Sequence, residues 1–172
     1  MQHYKDFVET LAKEGQDKLF FNSGPTHAAI VMSRIFKYSS DHVRIFCGGF
    51  DGTVSNDESY LNNLQAFLEK GGKVSILATE DKTENESCKI FALLKKYSKQ
   101  VDMRLTHSKV VDSTTKNPIH FTIGDSRMLR VETGVEDYTA QVNFGNEEKA
   151  KMFISIFDNM LKKTPGSRLL SN

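Results

Sequence analysis

The residues with chemical potential in this chain gather in one stretch, Pro118 to Asp137, which reads PIHFTIGDSRMLRVETGVED. Ile119, Phe121 and Ile123 alternate with His120 and Thr122, so a strand here buries three apolar side chains and turns the other two to the opposite face. Gly124-Asp125-Ser126 is turn chemistry, and Met128 to Glu132 alternates again with Leu129 and Val131 apolar, which predicts a β-hairpin. An imidazole on a half-buried sheet face can act as a nucleophile or general acid, and it can equally be a hydrogen-bonded structural residue. Around His120 the hairpin offers the cations Arg127 and Arg130, the carboxylates Asp125 and Asp137, the hydroxyl of Thr122, and Gly134.

The spacing of these residues resembles the phospholipase D superfamily, whose signature reads H-x-K-x4-D-x6-G-S-x-N. Set on His120, that pattern puts Thr122 at the Lys position and Arg127 at the Asp position. Gly134, Val135 and Asp137 fall at the Gly, Ser and Asn positions, without a gap. The resemblance implies a phosphodiester site in which one His attacks phosphorus and a second His, from another motif copy, is the general acid. It also implies that the Lys and Asn positions hold the phosphate oxygens while the acidic position orients a His. A phosphoryl transition state spreads negative charge over its oxygens, so positioned cations and donors supply most of the stabilisation. Thr122 carries no charge, Val135 no hydroxyl, and Asp137 a carboxylate where an amide should donate. The resemblance therefore implies a catalytically degenerate module that binds, senses or assembles, in a nucleic-acid-processing or defence setting. The alternative is a divergent homodimeric phosphodiesterase or nuclease built on His120, with Arg127 or Arg130 as the cation and Asp125 orienting the imidazole from the turn. One motif copy per chain predicts a two-fold homodimer with the hairpins facing each other, Val135 and Met128 packing across the axis.

A second H-x-K occurs literally at His107-Ser108-Lys109, but from there the Asp position is Thr114 and the Gly position Phe121, inside another strand. A polar loop is the expectation, with His107 and Lys109 lining the site entrance.

The elements that must position these groups follow from periodicity. Residues 3 to 14 place Phe7, Val8 and Leu11 on a helix face, and Leu19-Phe20-Phe21 is a short apolar strand. Asn22-Ser23-Gly24-Pro25 reads as a loop that starts a helix carrying Ile30, Val31, Ile35 and Tyr38. Strands at 43–47, 74–77 and 101–105 alternate with helices carrying Leu64, Phe67 and Leu68, and Ile90, Leu93 and Leu94. After the hairpin come a strand at 139–144 and a final helix capped by Asn146, with Phe153, Ile156 and Phe157 on its buried face. The expected fold is an α/β sandwich, phospholipase D-like by its order of elements, with a mixed, largely parallel sheet flanked by helices. A single domain over 1–163 and a loose tail over 164–172 are expected.

The 172 residues, 38% hydrophobic and 26% charged, suit one soluble core. The formal net charge of +1 does not select a partner. Lys95, Lys96, Lys99, Lys149, Lys151, Lys162, Lys163 and Arg168 leave nucleic acid open as a partner through phosphate contacts, but no aromatic residues interleave with them to stack bases. Cys47 and Cys88 read as buried thiols, and His3, His27 and His42 stand without partners at ligand spacing, so neither metal nor cofactor is expected. There is no apolar run of spanning length and no leader pattern, which points to the cytoplasm and away from the membrane, with a protein partner in a larger complex also open.

Overall fold

A computed structural model of the protein describes residues 1–164. A seven-stranded sheet carries four helices on one face and one on the other. In chain order the elements are α1 (Gln2–Glu14), β1 (Phe20–Asn22), α2 (Pro25–Tyr38), β2 (His42–Cys47), α3 (Glu58–Glu69), β3 (Lys73–Ala78), α4 (Ile90–Lys96) and β4 (Val101–Leu105). The hairpin β5 (His120–Gly124) and β6 (Met128–Gly134), then β7 (Thr139–Asn143) and α5 (Glu147–Lys163), complete the fold. The strand order is β1-β7-β6-β5-β2-β3-β4. Only the β2–β3 and β3–β4 pairs are parallel and the other four pairs are antiparallel. Followed across the sheet, those pairings leave β1, β2, β3, β4 and β6 running one way and β5 and β7 the other, which is the mixed arrangement expected.

Period-two alternation divides the core. On β2 and β3, Ile45 and Ile76 face α1 to α4, while Phe46 and Leu77 face α5. At the middle of these strands both faces are buried, so the pairs Ile45-Phe46 and Ile76-Leu77 are apolar without alternation. On the hairpin, Ile119, Phe121, Ile123, Leu129 and Val131 join the α5 cluster. Phe121 meets Phe153 edge-on with ring centroids 5.0 Å apart. The final helix is fixed at its start by Asn146, whose side chain accepts the Lys149 N–H at 2.8 Å, with Glu147 and Glu148 in the first turn where the helix dipole favours them.

Two expectations at element ends need correction. Asn22 is not loop: it ends β1, paired with Ala140, because the edge strand slips one residue past the apolar run. Thr164 does not begin a loose tail, being 7% exposed with its hydroxyl bonded to Met160 O and Thr106 Oγ1. Residues 165–172 lie outside the described residues.

Candidate functional site

A cavity of about 370 Å³ opens at the carboxyl ends of β2 and β3, the usual ligand position in open α/β sheets. Because β5 runs antiparallel to β2, its first residue, His120, arrives at that same end. The hairpin register then sets His120 opposite Glu132 and Thr122 opposite Arg130. All four side chains line the cavity, facing α2 and α3.

These residues form a connected cluster. His120 Nδ1 lies 3.4 Å from Glu132 Oε1. A carboxylate only accepts, so Nδ1 carries the proton and a neutral imidazole keeps a bare Nε2. Glu132 Oε2 accepts from Arg130 at 2.6 Å. Arg130 also donates to Asn22 Oδ1 at 3.1 Å and to the Tyr138 carbonyl at 3.2 Å, while the Asn22 amide donates to that same carbonyl at 2.7 Å. Burial would raise the Glu132 carboxyl, but the hydrogen bond from His120 and the Arg130 guanidinium outweigh it and hold the group below its ordinary value. Gly48 allows the close approach: a Cβ there would stand 3.3 Å from His120 Cε1. Cys47, beside it, is chemically quiet because burial pushes its thiol up to about 12.

Other expected groups sit elsewhere. Asp125 does not orient His120. It stands at the far tip of the hairpin, five residues or about 17 Å along the strand. Its φ is 52°, and its carboxylate accepts the backbone N–H groups of Ser40, Asp41 and His42 at 2.9 to 3.1 Å. Arg127, at the same tip, donates to the carbonyls of Phe144 and Tyr38 at 3.0 and 3.1 Å, so it supplies no cation to the cavity. Asp137 is exposed and caps the turn before β7 by accepting the Thr139 N–H. Gly134 leaves room for that carboxylate, since a Cβ would lie 2.3 Å from Asp137 Oδ1. Val135 lines the cavity, but Met128 is fully buried in the core and cannot pack across a dimer axis. His107 and Lys109 are exposed and do not line the cavity.

Sequence reasoning missed Glu132 and Asn22. Glu132 takes the part given to Asp125, and only the register reveals it. Asn22 is 108 residues from Arg130, and no local pattern joins them. Among the described residues no group of His, Cys, Asp or Glu could hold a metal ion, and no helix is long and apolar enough to cross a membrane.

A mixed sheet with a His-bearing antiparallel hairpin beside β2 and a single closing helix across the far face defines a class: the chain has the phospholipase D fold. It is similar to Nuc, a phospholipase D family member from Salmonella typhimurium, with a TM-score of 0.60 at 13% identity over 88% of this chain and 99% of that one. NucT from Helicobacter pylori gives 0.61 at 16% identity over 87% and 98%. TrmBL2, an archaeal chromatin protein with a novel mode of DNA binding, gives 0.62 at 13% identity over 95% of this chain, which spans 60% of that protein. At these identities the likeness is one of fold. No protein-family model matches the sequence, and no curated protein does.

Proposed function

We propose that the chain is a catalytically degenerate phospholipase D-fold module that binds, senses or assembles rather than cleaving phosphodiesters. One observation carries this reading: among the described residues, the cavity has no cation without a carboxylate partner for a phosphate. Arg130 is 5% exposed and spends its donors on Glu132, Asn22 and Tyr138. Lys82, the other lining cation, pairs with Glu80 at 3.1 Å. Against these two cations stand three lining carboxylates, Asp51, Glu80 and Glu132, leaving −1 with His120 neutral. The segments that follow β2 and β3, 48–58 and 79–89, share that sign. They carry Asp51, Asp57, Glu58, Glu80, Asp81, Glu84 and Glu86 against Lys82 and Lys89, seven acids to two lysines. Phosphoryl transfer needs the opposite field.

A second reading, a divergent homodimeric phosphodiesterase or nuclease, draws support from the His120–Glu132 pair, which leaves Nε2 toward the cavity as a nucleophilic imidazole would require. The two readings separate in one assay. Purified protein incubated with bis(p-nitrophenyl) phosphate or plasmid DNA should show no turnover above background. Turnover lost in His120→Ala and kept in His107→Ala would promote the enzyme. The fold's occurrence in a DNA-binding chromatin protein keeps a nucleic-acid setting within the proposal, as does a homodimer; with Asp125, Arg127 and Met128 engaged elsewhere, any pairing about the hairpin would use the cavity rim near Val135.

A further inference from the structure

The cavity wall holds polar groups that the fold leaves unused. Thr122 is 3% exposed and Tyr60 1%, both line the cavity, and neither hydroxyl has a hydrogen-bond partner among the described residues. Both hydroxyls open onto the same space, where they can bond the polar atoms of a ligand. His120, whose Nδ1 is taken by Glu132, adds Nε2 as a third. Ala28, Met32, Phe50 and Val54 add apolar surface to the wall. At about 370 Å³ the space lies at the small end of ligand sites, which run from about 300 to 1,000 Å³.

Charge decides which class of ligand fits. An anion would meet Asp51 and Glu132 and find both lining cations already paired. A cation finds Glu80 and Glu132 paired as well, but Asp51 forms no ion pair among the described residues, although its charge is felt by Lys82. Asp51 is exposed at the mouth, where its carboxylate accepts the Thr53 N–H through Oδ1 and keeps Oδ2 for a second donor. The rings of Phe50 and Tyr60 are part of the lining, and aromatic rings attract ammonium groups. We propose that this cavity is a receptor site for a small organic cation, a protonated amine carried on an apolar or aromatic body. The amine would sit toward Asp51, the body against Met32, Phe50 and Val54, and any further polar atom against Thr122, Tyr60 and His120. This rests on the reading that the site does not cleave phosphodiesters, and it names the ligand class of that same site.

The test uses three probes of one skeleton and different charge: benzylamine, benzyl alcohol and benzoate. Each is titrated into the full chain while NMR follows the ring signals of His120 and Tyr60. Benzylammonium should perturb both rings and bind about tenfold more tightly than benzyl alcohol at low salt, the gap narrowing as salt rises. Asp51→Asn should weaken benzylammonium about threefold and leave benzyl alcohol unchanged. Thr122→Val should weaken a probe with a second polar group, such as 2-amino-1-phenylethanol, more than benzylamine. Asp51 stands outside the core, so its variant keeps the test valid even where a core variant fails to fold. Equal binding of amine and alcohol, no ring perturbation by the amine at millimolar concentration, or tighter binding of benzoate or inorganic phosphate each overturns the cation site. Failure of the underlying reading has a different signature, His120-dependent turnover of a phosphodiester.

Discussion

Replacing Glu132 with Gln probes the cluster at its centre. Arg130 and Glu132 side chains are 7% and 9% exposed, so each charge is solvated almost entirely by its partners. Breaking a buried pair leaves one charge uncompensated, at about 3–5 kcal/mol. Here Arg130 would keep Asn22 Oδ1 and the Tyr138 carbonyl, and Gln keeps one acceptor, which places Glu132→Gln near the lower end, about 3 kcal/mol. Arg130→Met strands the carboxylate with only His120 and also frees Asn22, so about 4 kcal/mol is expected. The double variant removes both charges and should cost far less than the sum, with a coupling of about 2–3 kcal/mol in urea denaturation. The pH dependence has a definite sign. The folded Glu132 carboxyl lies below its ordinary value, so its stabilisation is fully present above about pH 4.3 and is lost as pH falls through the lower folded value. The gap between wild type and Glu132→Gln should therefore close at acid pH, where the protonated wild-type side chain resembles the amide. Additive single costs, or a gap unchanged between pH 7 and pH 3, would refute the buried ion pair and with it the claim that Arg130 is engaged.

Phe157 is fully buried against Phe121 and the α5 face of the sheet, so Phe157→Ala should cost about 3–5 kcal/mol by chemical denaturation. A loss below about 1 kcal/mol would mean that α5 is peripheral to the core. Light scattering at micromolar concentration should give a dimer mass that falls with salt, since a rim rich in carboxylates must pair with cations of the other copy. A monomeric mass, unchanged by salt, removes the composite site.

The faces of the hairpin were legible because strand periodicity is two: once 119–123 reads as a strand, His120 and Thr122 must share a side. What faces them was not. The partner of His120 depends on how many residues the turn takes, and a one-residue change in turn length would have exchanged Glu132 for Val131 or Thr133. The turn uses Asp125, Ser126 and Arg127, and Asp125 adopts a left-handed φ stabilised by backbone N–H groups from the segment before β2. That contact spans more than 80 residues and leaves no local trace. Asn22 escaped for the same reason, since its place in β1 is set by β7 rather than by its own neighbours.

A group that serves a substrate must be left partly unsatisfied by its own protein, because donors already committed cannot be offered again without leaving a partner stranded. By that criterion the hairpin positions separate. Arg127 and Asp137 are bound to the backbone and hold the fold. Arg130 faces the cavity yet gives its charge to Glu132. Thr122 and the Nε2 edge of His120 remain unclaimed within the described residues, and Tyr60 on α3 joins them. The two hydroxyls can donate or accept and Nε2 can accept, in a cavity whose two lining cations are already paired with carboxylates. The residues the protein leaves free are therefore suited to recognising a ligand, and those that would stabilise a phosphoryl transition state are occupied in holding the structure together.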